Sequence, residues 1–222
     1  MGYFMIKKLF LIGFILSVII TNTICSFAKT KVACIGDSIT YGKGVTYKES
    51  NSYPERFGNM LGSNYEVKNF GLCNATVETG TIVPYTESKE YKDAKKNNAD
   101  IYVVMLGTND AKSERFKGDR KFKNDYVHIL NELKGKKIIM MDIPPVNYSS
   151  DVVLTPEYTT PENVIKINRL IEDVAKTQKV RLIKNNKKID SVKNDVIIDD
   201  GVHLNNLGAI ILAKSVYDSI LT

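Results

Sequence analysis

Residues 31–44 read KVACIGDSITYGKG, and the way this stretch divides decides the fold. Val32 to Ile35 is a short, continuous apolar run, the pattern of a strand buried on both faces of a parallel sheet. Gly36 and Asp37 interrupt it, so the strand is expected to end there in a turn. A phosphate-binding loop would need G-x-x-x-x-G-K-[ST]. Here five residues separate Gly36 from Gly42, and Gly44 occupies the place of the metal-binding hydroxyl. Asp37 would also set a carboxylate against the phosphates. The stretch is better read as a turn presenting Ser38 at the carboxyl end of a strand, where parallel α/β sheets place their sites.

Similar runs recur outward along the chain: Tyr65 to Val67, Ile101 to Leu106, Ile138 to Met141 and Val180 to Ile183. Helical patterns fill the gaps. Ser52 to Leu61 has Pro54 in its first turn, and Thr86 to Asn97 is polar and lysine-rich. Asn124 to Leu133 places Val127, Leu130 and Leu133 along one stripe. Thr160-Pro161 is a start signal for a further helix, with Ile165, Leu170, Ile171 and Val174 as core positions. The last helix is expected from about Asn205 to Ile220, with Ile210, Leu212, Val216 and Ile220 inside. Strand and helix alternate from end to end, which predicts a three-layer α/β/α sandwich around a mostly parallel, five-stranded sheet. Pro144 to Pro161 is a long loop rich in Pro, Ser, Tyr and Thr, of a length that in compact domains commonly walls a site.

The 222 residues suffice for one domain with a substantial core. An apolar fraction of 43% and a charged fraction of 25% are those of an ordinary globular protein. Residues 1–28 stand apart: Lys7 and Lys8 precede an apolar run, and Ser26-Phe27-Ala28 supplies small residues at the positions a signal peptidase reads. A cleaved signal peptide is expected, leaving 29–222 as the folded domain; a retained anchor is the alternative. Ile24 before Cys25 is too bulky for a lipid-anchored cysteine. The chain is thus read as secreted or cell-surface, with no stable membrane insertion once the signal is removed. Removing 1–28 lowers the formal charge from +6 to +4, and no basic cluster is dense enough for nucleic-acid binding. Cys34 and Cys73 then remain. Export permits a disulfide between them, but Cys34 lies in an apolar run and reads as a small buried residue.

A serine needs a base and an oxyanion stabiliser to act as a nucleophile. The chain has two histidines. His128 falls inside a helical pattern, as a structural or surface residue would. His203 lies in IDDGVHLNNLG, just before the final helix, with Asp200 three residues earlier and Gly201 easing a tight turn. One short loop can therefore present both side chains, the carboxylate orienting the imidazole. Asp199, the neighbouring alternative, is read as ending the preceding strand. Asn109 in Leu106-Gly107-Thr108-Asn109-Asp110 can donate a side-chain amide, and Gly71 in Asn69-Phe70-Gly71 a backbone N–H. Each stretch alone is also a good turn.

Together these blocks resemble the GDSL or SGNH hydrolases. Gly36-Asp37-Ser38-Ile39-Thr40 is similar to the GDS block and Gly71 to the glycine block. Gly107-Thr108-Asn109-Asp110 is similar to the GxND block, and Asp200-Gly201-Val202-His203 to the closing DxxH. The blocks stand in family order and span residues 36–203. The resemblance implies a flavodoxin-like sandwich and a serine esterase needing no metal or cofactor. Ser38 would be the nucleophile, His203 the general acid/base and Asp200 its orienter. Ser38, Gly71 and Asn109 would form the oxyanion hole, and Asp37, Cys73 and Asn74 are candidate substrate-contacting residues. Two departures stand out: Leu72-Cys73-Asn74-Ala75 follows where the family often has a second Gly, and Leu204 replaces a frequent Pro. The expected substrate is an acylated small molecule or glycan, with short-chain, chiefly acetyl, esters on carbohydrate favoured. Lysophospholipase, thioesterase or acyltransferase activity on the same site is the alternative, as is a non-catalytic glycan-binding surface protein.

Overall fold

A computed structural model describes residues 28–133 and 136–222. The expected signal peptide, residues 1–28, lies outside this range except for Ala28. Strand β1 (Thr30–Gly36) is followed by the short helices α1 (Ser38–Tyr41) and α2 (Lys48–Asn51), then α3 (Tyr53–Leu61) and β2 (Tyr65–Gly71). Helix α4 (Lys89–Asn97) leads to β3 (Ile101–Met105), and α5 (Asp119–Glu132) to β4 (Lys137–Met141). After the long loop come α6 (Pro161–Gln178), β5 (Arg181–Ile183), the short α7 (Asn186–Asp190) and α8 (Lys193–Val196), and finally α9 (Asn206–Leu221).

The five strands form one sheet in the order β2-β1-β3-β4-β5, and all four pairings are parallel. Alternating side chains of β1, β3 and β4 feed two cores. Ala33, Ile35, Tyr102, Val104 and Met140 pack under α4, α5 and α6, against Tyr91, Phe122, Tyr126, Ile129 and Ile171. Val32, Cys34, Val103, Met105, Ile139 and Met141 face the other side, against Tyr53, Phe57, Leu212 and Val216 of α3 and α9. This is the expected three-layer arrangement, its strands apolar on both faces because helices cover both. Cys34 is buried in that second core.

The Thr160 cap acts as read, and Asn205 proves to be a second cap. Thr160 accepts the Asn163 N–H at 3.3 Å ahead of Pro161, and Asn205 accepts from Leu207 and Gly208 at the start of α9. Two core assignments fail. Ile165 is 54% exposed and Ile210 is 41% exposed. On α6 the inward stripe runs through Val164, Ile167, Leu170, Ile171 and Val174 instead, so Ile165 falls one residue beyond it. Helix α5 begins five residues before the expected Asn124, which brings Phe122 into the core. The residues before Asp199 are not a strand of the sheet; an isolated Ile197–Leu204 bridge closes a loop there.

Truncating the wholly buried Phe57 to Ala is expected to cost about 3–5 kcal/mol, whereas Ile165→Ala stays within about 0.5 kcal/mol of wild type. Urea denaturation of the two variants checks the assignment of faces.

Candidate active site

The strand order reverses between β1 and β3, the kind of switch point where open α/β sheets leave a crevice at their carboxyl edge. Parallel register brings Gly36 opposite Gly71 on one side and Met105 on the other. The segments that follow these three strands therefore emerge side by side, around a cleft of about 580 Å³.

The first segment presents Ser38. Asp37 caps α1 by accepting the Ile39 N–H at 2.9 Å, and Ser38, the first residue of α1, lines the cleft. Asp37 itself is fully buried, and that burial lifts its carboxyl above the ordinary aspartate range despite the Ile39 hydrogen bond. It does not line the cleft. The expected substrate contact is thus a capping residue, its side chain turned inward by the helix start.

The second segment changes one assignment. The Gly71 N–H, expected to face a reacting oxygen, donates to Asn69 Oδ1 at 2.9 Å. Gly71 also lies so close to the Thr40 and Tyr41 backbone that a Cβ would not fit. What reaches the cleft is Cys73 and Asn74. Asn74 adopts a left-handed backbone with φ 65°, a conformation that Asn tolerates better than most residues with a Cβ. Cys73 is a free thiol, and partial burial pushes its pKa up.

The third segment grips the second. Asn109, 6% exposed, donates from Nδ2 to the Ala75 carbonyl at 3.0 Å, which leaves its other amide hydrogen available. Asp110 accepts the Val77 and Glu78 N–H groups, each at 3.0 Å. Arg115 donates from a guanidinium nitrogen to the Asn74 carbonyl at 3.2 Å. Burial drives the Asp110 carboxyl up to about 7 against those two backbone donors.

The fourth segment presents His203 and Asp200. His203 Nε2 lies 2.7 Å from Ser38 Oγ, and Nδ1 lies 2.6 Å from Asp200 Oδ2. Asp200 Oδ1 accepts the backbone N–H of both Val202 and His203. Desolvation pushes the Asp200 carboxyl up, but the His203 backbone, the imidazole and the Val202 N–H outweigh it and hold it below the usual range. Gly201 sits at φ 75°, and a Cβ there would overlap the Tyr148 ring. His128 is exposed on α5 and does not line the cleft.

Sequence reasoning overlooked Tyr148, Asn147 and Arg115. For Tyr148 and Asn147 the signal was the long loop, which gives no hint of which residues matter; no local pattern singled out Arg115. Its two ends are tied to opposite walls of the cleft. Asn147 N–H donates to Gly201 O at 2.8 Å, and the Tyr148 ring stacks edge-on against Tyr158 at 5.4 Å. At the far end, Thr159 Oγ1 donates to Thr108 O at 3.0 Å, and Glu114 N–H to Pro156 O at 3.2 Å.

Residues 34–209 match the model of the GDSL-like Lipase/Acylhydrolase family. The chain belongs to that family. It is 30% identical over 206 residues to an acetylxylan esterase of Xylanibacter ruminicola, covering 86% of this chain but 43% of that protein. Its fold is similar to a carbohydrate acetylesterase family member from Sinorhizobium meliloti, with TM-score 0.70 and 18% identity over 86% of this chain and 97% of the other. An M. smegmatis aryl esterase gives TM-score 0.69 and 17% identity, over 87% and 99% of the respective chains. Among the described residues of the GDSL protein, no helix is long and apolar enough to cross a membrane.

Two outcomes follow from the geometry of this GDSL site. Asp110, its carboxyl lifted from 3.8 to about 7, takes up a proton on folding between those values. Unfolding free energy therefore falls as pH rises through that window, and Asp110→Asn removes that part of the slope in urea titrations. Gly201→Ala strains a positive φ and displaces Tyr148, so melting temperature and esterase turnover both fall, as calorimetry and an ester assay check.

Proposed function

We propose that the protein hydrolyses short-chain acyl esters, chiefly acetyl esters on carbohydrate, through a covalent intermediate on Ser38. The observation that supports this reading is the hydrogen-bond path from Asp200 through His203 to Ser38, opening into the cleft. In this mechanism His203 Nε2 takes the Ser38 proton as Oγ attacks the ester carbonyl. The same nitrogen then protonates the departing alcohol, and Asp200 stabilises the imidazolium. Water, deprotonated in turn by His203, attacks the acyl-enzyme and frees the acid.

The developing oxyanion needs donors already aimed at it. Ser38 N–H and Asn109 Nδ2 fill two positions as the sequence suggests. With the Gly71 N–H held by Asn69, the third donor in this reading is the backbone N–H of Asn74. Asn74 lines the cleft in a left-handed turn, and Arg115 and Asn109 hold the Asn74 and Ala75 carbonyls. The carbohydrate assignment draws on the acetylxylan esterase relative and on the polar lining of the cleft. Export belongs to the same proposal: residues 1–28 direct secretion and are removed, so the mature chain begins at Lys29, as intact-mass measurement of secreted protein would show.

Ser38→Ala is expected to abolish p-nitrophenyl acetate hydrolysis and fluorophosphonate labelling with the fold intact by circular dichroism; persistent turnover overturns the assignment. Asn109→Ala should lower turnover by about 10² to 10³. Asn74→Gly should keep most activity because only the backbone donor and its φ matter, whereas Asn74→Val should lose it. Equal loss in both Asn74 variants would assign the role to the side chain instead.

A further inference from the structure

The cleft carries charge that ester hydrolysis alone does not use. Lys43, on the turn leaving α1, and Lys112 and Arg115, on the segment after β3, all line it. The facing acids are Glu114, Glu157 and Asp200. Two of them are committed: Glu114 Oε1 stands 3.4 Å from Arg115 Nε, and Asp200 holds His203. Glu157 is exposed and accepts from Thr155 Oγ1 at 3.0 Å. Arg115 is also spent in part, on Glu114 and on the Asn74 carbonyl, with its side chain 14% exposed. The Lys43 and Lys112 ammonium groups form no ion pair among the described residues.

Lys112 is half-buried in the wall. Desolvation, then repulsion from Arg115 and Lys43, lowers its pKa, more than Glu114 and Glu157 restore it. An anion bound between these cations would relieve both effects at once. A neutral sugar would relieve neither.

We propose that Lys43 and Lys112, backed by Arg115, form an anion subsite beside Ser38, and that the substrate is an acetylated glycan bearing uronic-acid carboxylates. The proposal rests on the ester-hydrolase reading of the same cleft and adds the charge of the alcohol moiety. The carboxylate takes no part in bond making; it sets which sugar unit docks with its ester over Ser38 Oγ. Lysine stems also let the subsite follow a flexible polymer, where a rigid bidentate fork would demand one geometry.

The experiment compares acetate release from acetylated polygalacturonan with release from the same polymer after methyl esterification of its carboxyls. Backbone and acetyl groups are shared, so charge is the variable. Wild type should favour the free-acid polymer in kcat/KM, mainly through KM, and the preference should shrink at high salt, where the screening length falls to about 3 Å. Lys43→Gln and Lys112→Gln should each reduce the preference ratio about twofold to fivefold, in line with single partly exposed ion pairs of up to about 1 kcal/mol. Equal rates on both polymers in wild type, or a ratio untouched in the double variant, overturn the subsite. Hydrolysis of p-nitrophenyl acetate by wild type in the same preparation shows that the esterase reading stands when the subsite falls. Its absence brings down both.

Discussion

The parallel register of three strands is the constraint on which the site depends. Gly36 is opposite Gly71 and Met105, so β1, β2 and β3 end at one level and deliver their loops to one edge. Parallel strands need long crossovers, and those crossovers become the helices that bury both faces of the sheet. The cores on the two faces hold the strands rigid, and the loops inherit that rigidity at their roots. Ser38 is placed by a seven-residue strand with five buried residues and a one-residue cap, and needs little else.

The remaining parts of the site are placed by each other. Asn109, Asp110 and Arg115 bind the backbone of residues 74–78 at four points, so the segment after β3 shapes the segment after β2. The loop between β4 and α6 ties the wall containing Thr108 to the wall containing Gly201. Displacing either end would move His203 relative to Asn109. Buried carboxyls serve this framework as acceptors: Asp110 for residues 77 and 78, and Asp142, its carboxyl raised by burial to about 6, for Asn185 and Asn186. Such groups hold backbone in place at the cost of desolvating a charge, and the resulting proton uptake ties loop order to pH.

The fold was legible because its signals are local and repeated. Five apolar runs too short for helices, separated by helical stripes with good caps, leave few architectures besides a layered parallel sheet. Ser38, Asn109, Asp200 and His203 were legible as candidates, since their blocks stand in a recognisable order, and the structure brings all four to one cleft. The failures share a cause. Ile165 and Ile210 are apolar residues one step off the buried stripe, and periodicity cannot separate a stripe's edge from its centre. Gly71 looked like the donor because glycine permits close approach, and it does approach closely, but to the Tyr41 backbone instead of to a ligand.

By itself, then, the sequence determined the layered fold, the turn presenting Ser38, and the Asp200–His203 loop, because short apolar runs, capping and a three-residue spacing all act within a few residues. Only the tertiary structure decided which N–H groups near Ser38 are free. It also revealed Tyr148 lying on Gly201, and left Lys43 and Lys112, both lining the cleft, without an ion pair among the described residues. A hydrogen bond from Gly71 to Asn69, or a ring fifty residues away filling the space beside a glycine, follows from packing between segments. No pattern along the chain encodes that.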